Sequence, residues 1–312
     1  MSHTATATTA ANDPDSSGAR HRDPLFTTAS GGRKTKDLIA KVVMWAAFLL
    51  ALSPLVWILW QVISFGGQNL MQSEWWTHSM RGITTRREGG GAYHAIMGTL
   101  LQGLVTGLIS VPIGVFTAIY LVEYGRGRLA RAVSFMVDIL TGVPSIVAAL
   151  FIYALWVTTF GWNRVGVAVS LSLVLLMIPT IVRSTEEMLK LVPNELREAS
   201  LALGVPKWKT IASVVLPTAF SGIVTGVLLG LARVMGETAP LLILGPYTKN
   251  INFDLFSGNM ATLPTMINDE RQYLALPAAH DRVWAAALTL ILLILLLNLA
   301  GRLIGRAGAV KA

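Results

Sequence analysis

Two charged pairs stand out because they interrupt or border stretches that are otherwise apolar. Arg233 and Glu237 lie in Leu231-Ala-Arg-Val-Met-Gly-Glu-Thr-Ala-Pro240, and Arg183 and Glu186 lie in Ile178-Pro-Thr-Ile-Val-Arg-Ser-Thr-Glu-Glu187. A guanidinium is planar, permanently protonated and offers parallel N–H donors, which suits a tetrahedral oxyanion. A neighbouring carboxylate keeps the anion from being held too tightly. It also accepts a hydrogen bond from a protonated oxyanion such as HPO₄²⁻, which sulfate cannot donate at neutral pH. An Arg at the centre of a membrane helix costs about 2.5–3.5 kcal/mol, so it faces a partner or a watery path. On one continuous helix Arg233 and Glu237, four apart, share a face. Gly222, Gly226 and Gly230 fall within the same arc of roughly 80° and form a small-xxx-small packing stripe. The plainer reading is a structural salt bridge within the membrane. For Arg183 it is a charge anchored at a helix end. Thr141-Gly-Val-Pro-Ser-Ile146 suggests a break, with Thr141 capping a new half-helix whose free N–H groups, with Ser145, could meet an anion. A tolerated kink is the alternative there.

The elements that must position these residues are apolar. Of 312 residues, 53% are hydrophobic and 13% charged, whereas a soluble domain carries about 25% charged residues. With no cysteine, thiol nucleophiles, thiolate metal sites and disulfides are excluded. The net charge of +8 fits either nucleic-acid binding or a membrane protein with basic loops. Six apolar runs without Asp, Glu, Lys or Arg follow one another: Val42–Phe65, Ala95–Val122, Ile139–Asn163, Val165–Val182, Thr210–Ala232 and Val283–Gly301. A bilayer core needs roughly 17–25 helical residues. The expectation is an all-α polytopic membrane protein with six spans at 42–65, 95–122, 139–163, 165–182, 210–243 and 283–301. The fifth is extended past Arg233 because Pro240–Leu244 is apolar again.

With the N-terminus inside, the inner segments hold 17 basic residues and the outer ones 7. That asymmetry predicts both termini on the cytoplasmic side. Trp57, Trp60, Trp75, Trp76, Trp162 and Trp284 then fall near the outer interface. The basic residues are scattered among loops, which disfavours nucleic acid. Residues 1–37, rich in Ser, Thr, Ala and Gly, read as a disordered cytoplasmic tail ahead of a permease domain over 38–312.

No phosphate-binding G-x-x-x-x-G-K-[ST] loop, H-E-x-x-H spacing or G-x-S-x-G elbow is present. The chain is therefore expected to hold no cofactor or metal and not to be an enzyme by itself. Active transport would draw on a partner's ATP or on an ion gradient.

The loop about 191–217 is the informative one. Asn194 suits an N-cap and Glu195 a first turn. Leu196, Ala199 and Leu203 make one apolar face. Gly204 is placed to end the helix, and Pro206 to open a second. The expectation is two short helices with a sharp bend, either resting on lipid headgroups or docking into a partner's groove. Glu198-Ala199-Ser200, three residues, Gly204, nine residues, then Val214-x-Leu216-Pro217 resembles the EAA signature of ABC importer permeases. Ser200 stands for the second Ala of that pattern and Val214 for its Ile. The resemblance implies a type I importer permease fold in which Glu198, Ala199, Gly204, Leu216 and Pro217 serve coupling to an ATPase subunit.

Gly142-Val-Pro-Ser-Ile146, Arg183-Ser-Thr-Glu186 and Ala232-Arg-Val-Met-Gly-Glu-Thr-Ala-Pro-Leu-Leu242 are similar to the phosphate-specific branch of these permeases. That implies phosphate passing Arg183, Glu186, Arg233 and Glu237. It also implies a second homologous permease, ATPase subunits that use ATP and an external phosphate-binding protein, with the outer loops Ser64–His94 and Gly245–Arg282 receiving that binding protein. A sulfate or molybdate importer is the alternative; an ion-coupled carrier fits less well, because the coupling loop would have no purpose in it.

Overall fold

The computed structural model describes residues 31–308, and among these every regular element is helical. The expected tail mostly lies outside the described residues; its last part, 31–37, is helical instead. The chain divides into two compact units, Met1–Trp57 and Ile58–Ala312. The first contributes the leading turns of α1 (Gly31–Leu70). Its apolar side chains, among them Val42, Trp45, Phe48 and Leu50, are exposed, as a surface meeting lipid tails would be.

In the second unit, α3 (Tyr93–Ile119) runs on through a π-helical turn at Tyr120–Tyr124. α6 spans Gly166–Lys190, α9 spans Leu216–Met235 and α12 spans Pro277–Gly308. Short helices lie between them: α2 (Ser73–Thr77), α4 (Gly127–Gly142), α5 (Ser145–Tyr153), α7 (Asn194–Ala202), α8 (Lys207–Thr210), α10 (Ala239–Leu244) and α11 (Leu263–Glu270). Five helices are long and apolar enough to cross a membrane, and a sixth crossing exists if α4 and α5 count as one broken span.

Three sequence-based boundaries are corrected. The third span, expected over 139–163, is α4 followed by α5 and a π-helical stretch, bent by 104°. Pro144 supplies no N–H donor, and its carbonyl accepts from Val147 and Ala148, so a new helix starts there. Thr141 does not cap it; its hydroxyl bonds back to the Val137 carbonyl at 2.9 Å. The fourth span continues to Lys190, so Arg183 and Glu186 lie inside α6. The fifth breaks at Gly236, Glu237 and Thr238, and α10 is a separate helix.

α6 is the central helix: 67% of its apolar window is buried, against 28% or less for the other crossing helices. Its neighbour α3 turns Gln102, Thr106 and Ser110 inward. The Thr106 hydroxyl donates to the Gln102 carbonyl at 2.7 Å and lies 3.4 Å from that of Ser170. α9 packs on α6 through its glycines. A Cβ at Gly226 would come within 2.5 Å of Ser184 Oγ, and one at Gly222 would collide with Met188. Gly230 has ordinary contacts with Met177, Thr180 and Ile181. The stripe thus faces successive turns of α6, as small residues at membrane helix interfaces do.

At the end of the bundle away from α7, Arg282 of α12 donates to Glu270 of α11 at 3.0 Å and to the carbonyls of Thr85 and Arg87, both at 2.8 Å. Both charged side chains are almost wholly buried. This pair ties α11 and the loop before α3 onto α12, a pairing that sequence spacing does not reveal.

The close approach at Gly226 is testable. Gly226→Leu should destabilise the detergent-solubilised protein by about 1–3 kcal/mol through overpacking. Gly67→Ala, where a Cβ meets nothing within 4 Å, should not destabilise it. Unfolding midpoints of the two variants check both.

Candidate functional site

The loop expected to serve coupling is built from α7 and α8 and packs on the ends of α3 and α6. Helix α7 starts at Asn194, with Pro193 at the cap position, one residue from the sequence expectation and within the usual boundary shift. It ends in a two-bond Schellman turn: Gly204 N–H donates to Leu201 O at 2.9 Å and Val205 N–H to Ser200 O at 3.2 Å. Gly204 has φ +77°, which a side chain would strain. Pro206 is the cap of α8. That second helix is not free-standing; it passes through a π-helical stretch, Ile211–Val215, into α9. Leu216 and Pro217 are the first residues of α9.

The loop's inner side is polar and paired. Ser200 Oγ and Thr210 Oγ1 are 2.9 Å apart and buried, so the serine that departs from the EAA pattern joins the two short helices. Arg197 bonds Glu123 at 2.9 and 3.0 Å, and the carbonyls of Leu189 and Val192 at 2.9 and 2.6 Å. Lys207 reaches the Glu123 carbonyl and lies 4.9 Å from the Tyr124 ring centre. The outer side is unpartnered. Glu198 and Ala199 are exposed, Leu203 is 84% exposed and Trp208 66%. These apolar side chains point away from the bundle.

The two sequence-derived charged pairs have different settings. Arg183 donates to Glu186 at 2.6 Å, to the hydroxyl and carbonyl of Ser134, each at 3.2 Å, and to Asp138. Glu186 is buried, with Lys190 at 4.0 Å. Asp138 and Ser134 belong to α4, so Arg183 ties α4 to α6. Its Nη1 meets the Glu186 carboxylate and its Nη2 that of Asp138.

Arg233 is the opposite case. The break at Gly236 takes Glu237 off its helix, and among the described residues no ion pair joins the two. Arg233 is exposed near the end of α9, and Glu237 is half-buried in the break. Ser145 is the first residue of α5, half-buried. An open apolar cleft of about 570 Å³ beside Leu231 and Met235, walled by Leu100, Leu104 and Leu108, carries no charged side chain; it is not an anion site.

Residues 110–307 match the family of binding-protein-dependent transport system inner membrane components. The chain belongs to that family. It is 54% identical over 282 residues to the phosphate transport system permease protein PstA 1 of Mycobacterium tuberculosis H37Rv, covering 90% of this chain and 91% of that one. It is 39% identical over 274 residues to PstA of Pasteurella multocida, covering 87% and 95%. In fold it resembles a chain of a bacterial alginate ABC transporter solved with its periplasmic protein (TM-score 0.59, 15% identity, covering 89% of this chain and 98% of that one). It also resembles a chain of the inward-facing MetNI methionine ABC transporter (TM-score 0.54, 23% identity, 70% and 94%). The protein is thus an all-helical, multi-pass membrane component of the ABC importer permease class.

Removing Arg183 would leave Glu186 buried without its 2.6 Å donor. Arg183→Leu should cost about 3 kcal/mol, and Arg183→Leu with Glu186→Leu should recover most of it. Unfolding midpoints of the purified variants read both effects.

Proposed function

We propose that this chain is one of two permease halves of a phosphate ABC importer. It works with a homologous PstC-like permease, PstB-like ATPase subunits that hydrolyse ATP and a PstS-like external phosphate-binding protein. Its place is the bacterial plasma membrane, with both termini cytoplasmic. The sequence supports that orientation: the segments on the α7 side of the apolar runs hold 17 basic residues and those on the other side 7. The exposed face of α7 and α8, with Glu198, Ala199 and the turn at Gly204, seats on an ATPase subunit.

The observation that carries the phosphate reading is Arg233. Among the described residues its guanidinium has no carboxylate partner; it sits on a crossing helix and is exposed in the single chain. An uncompensated charge there is tolerated only against water or a partner. In a two-permease assembly that position becomes the wall of the path, and the open donor fork meets the oxyanion. Glu237, held apart in the break, accepts the hydrogen bond that HPO₄²⁻ can donate. Arg183 supports the path by keeping α4, and with it the turn at Pro144 and Ser145, on α6, through Nη1 to Glu186 and Nη2 to Ser134 and Asp138.

Arg233→Gln should lower phosphate uptake by about 10² or more, since one charge-assisted bidentate contact is worth roughly 1.5–3 kcal/mol and the uncompensated path adds to it. Membrane levels of the chain should match wild type. Uptake of phosphate at the wild-type rate in that variant would overturn the reading. Uptake of sulfate or molybdate in place of phosphate by the unaltered complex would move it to another oxyanion.

A further inference from the structure

The coupling face and the path lie at different places along the helices, so displacement at one must be carried to the other. α8 does this for α9 directly, because the two are one helical rod joined by a π-helical stretch. No such continuity links α7 to α3. Arg197 links them directly, and Lys207 of α8 reaches the Glu123 carbonyl beside it. Arg197 Nε and Nη2 both donate to the same oxygen of Glu123, at 3.0 and 2.9 Å. The same guanidinium holds the carbonyls of Leu189 and Val192, at the end of α6 and just past it. Glu123 is 6% exposed and Arg197 16%. Glu123 itself sits in the π-helical turn that ends α3. Such turns change register at low cost and recur where helices must shift.

We infer that Arg197 and Glu123 form a transmission joint. The pair passes a displacement of α7 to α3, while α8 passes it to α9, so that both helices packed on α6 move together. Arg197 is a positioning residue: it touches no substrate and acts through Glu123. This rests on the reading that α7 seats on an ATPase subunit. The joint differs from the docking contact itself, because both side chains face inward while Glu198, Ala199 and Leu203 face out.

The test uses the complete complex reconstituted in liposomes, and reads phosphate imported per ATP hydrolysed. Glu123→Gln keeps shape and one acceptor oxygen; Glu123→Ala removes both. The ratio should fall about threefold in the first and about tenfold in the second, because import drops more than hydrolysis. Glu123→Ala combined with Arg197→Gln should fall no further than Glu123→Ala alone, the mark of residues acting as a unit. A wild-type ratio in both Glu123 variants, or additive losses in the double variant, overturns the joint. If Glu123→Ala does not assemble, a wild-type ratio in Glu123→Gln alone overturns it. If no ATPase subunit copurifies with the unaltered chain, the importer reading fails and the joint with it.

Discussion

Hydrocarbon does not forgive an unmatched charge, and the placement of the buried carboxylates among the described residues follows from that. Glu186 is covered by Arg183, Glu123 by Arg197, and Glu270 by Arg282. Arg197–Glu123 and Arg282–Glu270 join separate elements, and Arg183 also reaches Asp138 of α4, so neutralisation and architecture are achieved by the same side chains. Among the described residues Arg233 of α9 joins no ion pair, and it sits beside the break at Gly236, within the apolar stretch rather than at a loop. Its exposure is what the proposed second permease would cover.

The rest of the second unit divides into a frame and, in the importer we propose, a moving part. α6 is the frame, buried on most sides, with α3 against its polar seam and α9 against it through glycines. The moving part is α7. It is bounded by the Schellman turn at Gly204 on one side and the short link after Lys190 on the other. Ser200–Thr210 and Arg197–Glu123 keep its polar side attached to the bundle, while its apolar side chains point away from it. A part that is held by hydrogen bonds on one side and open on the other is suited to transmit force rather than to bear the fold's stability.

Much of this was legible in the residues. The apolar runs located five crossing helices, because twenty-odd residues without charge have few other uses. The EAA spacing located α7, and Gly204 was identifiable as a helix terminator because only glycine meets the left-handed turn cheaply. The glycine stripe was readable from its period of four. The break at Gly236 was not: the apolar pattern resumes at Pro240, and composition alone does not register a change of direction. That break also separates Arg233 from Glu237, which a four-residue spacing would place together. Asp138 and Glu123 escaped notice because their partners are 45 and 74 residues away, and no periodicity records a pairing over such distances.

The central claim is that Arg233 lines an aqueous path in the assembled importer. The chain contains no cysteine, so Arg233→Cys provides a single thiol. In the assembled complex its rate of modification by a permanently charged methanethiosulfonate should far exceed that of Leu296→Cys, whose position on α12 is 60% exposed and apolar. Such reagents act in water and not in hydrocarbon. Rapid labelling at 233, slowed by phosphate, with none at 296, is the predicted result. No labelling at 233, or equal labelling at both positions, would contradict it.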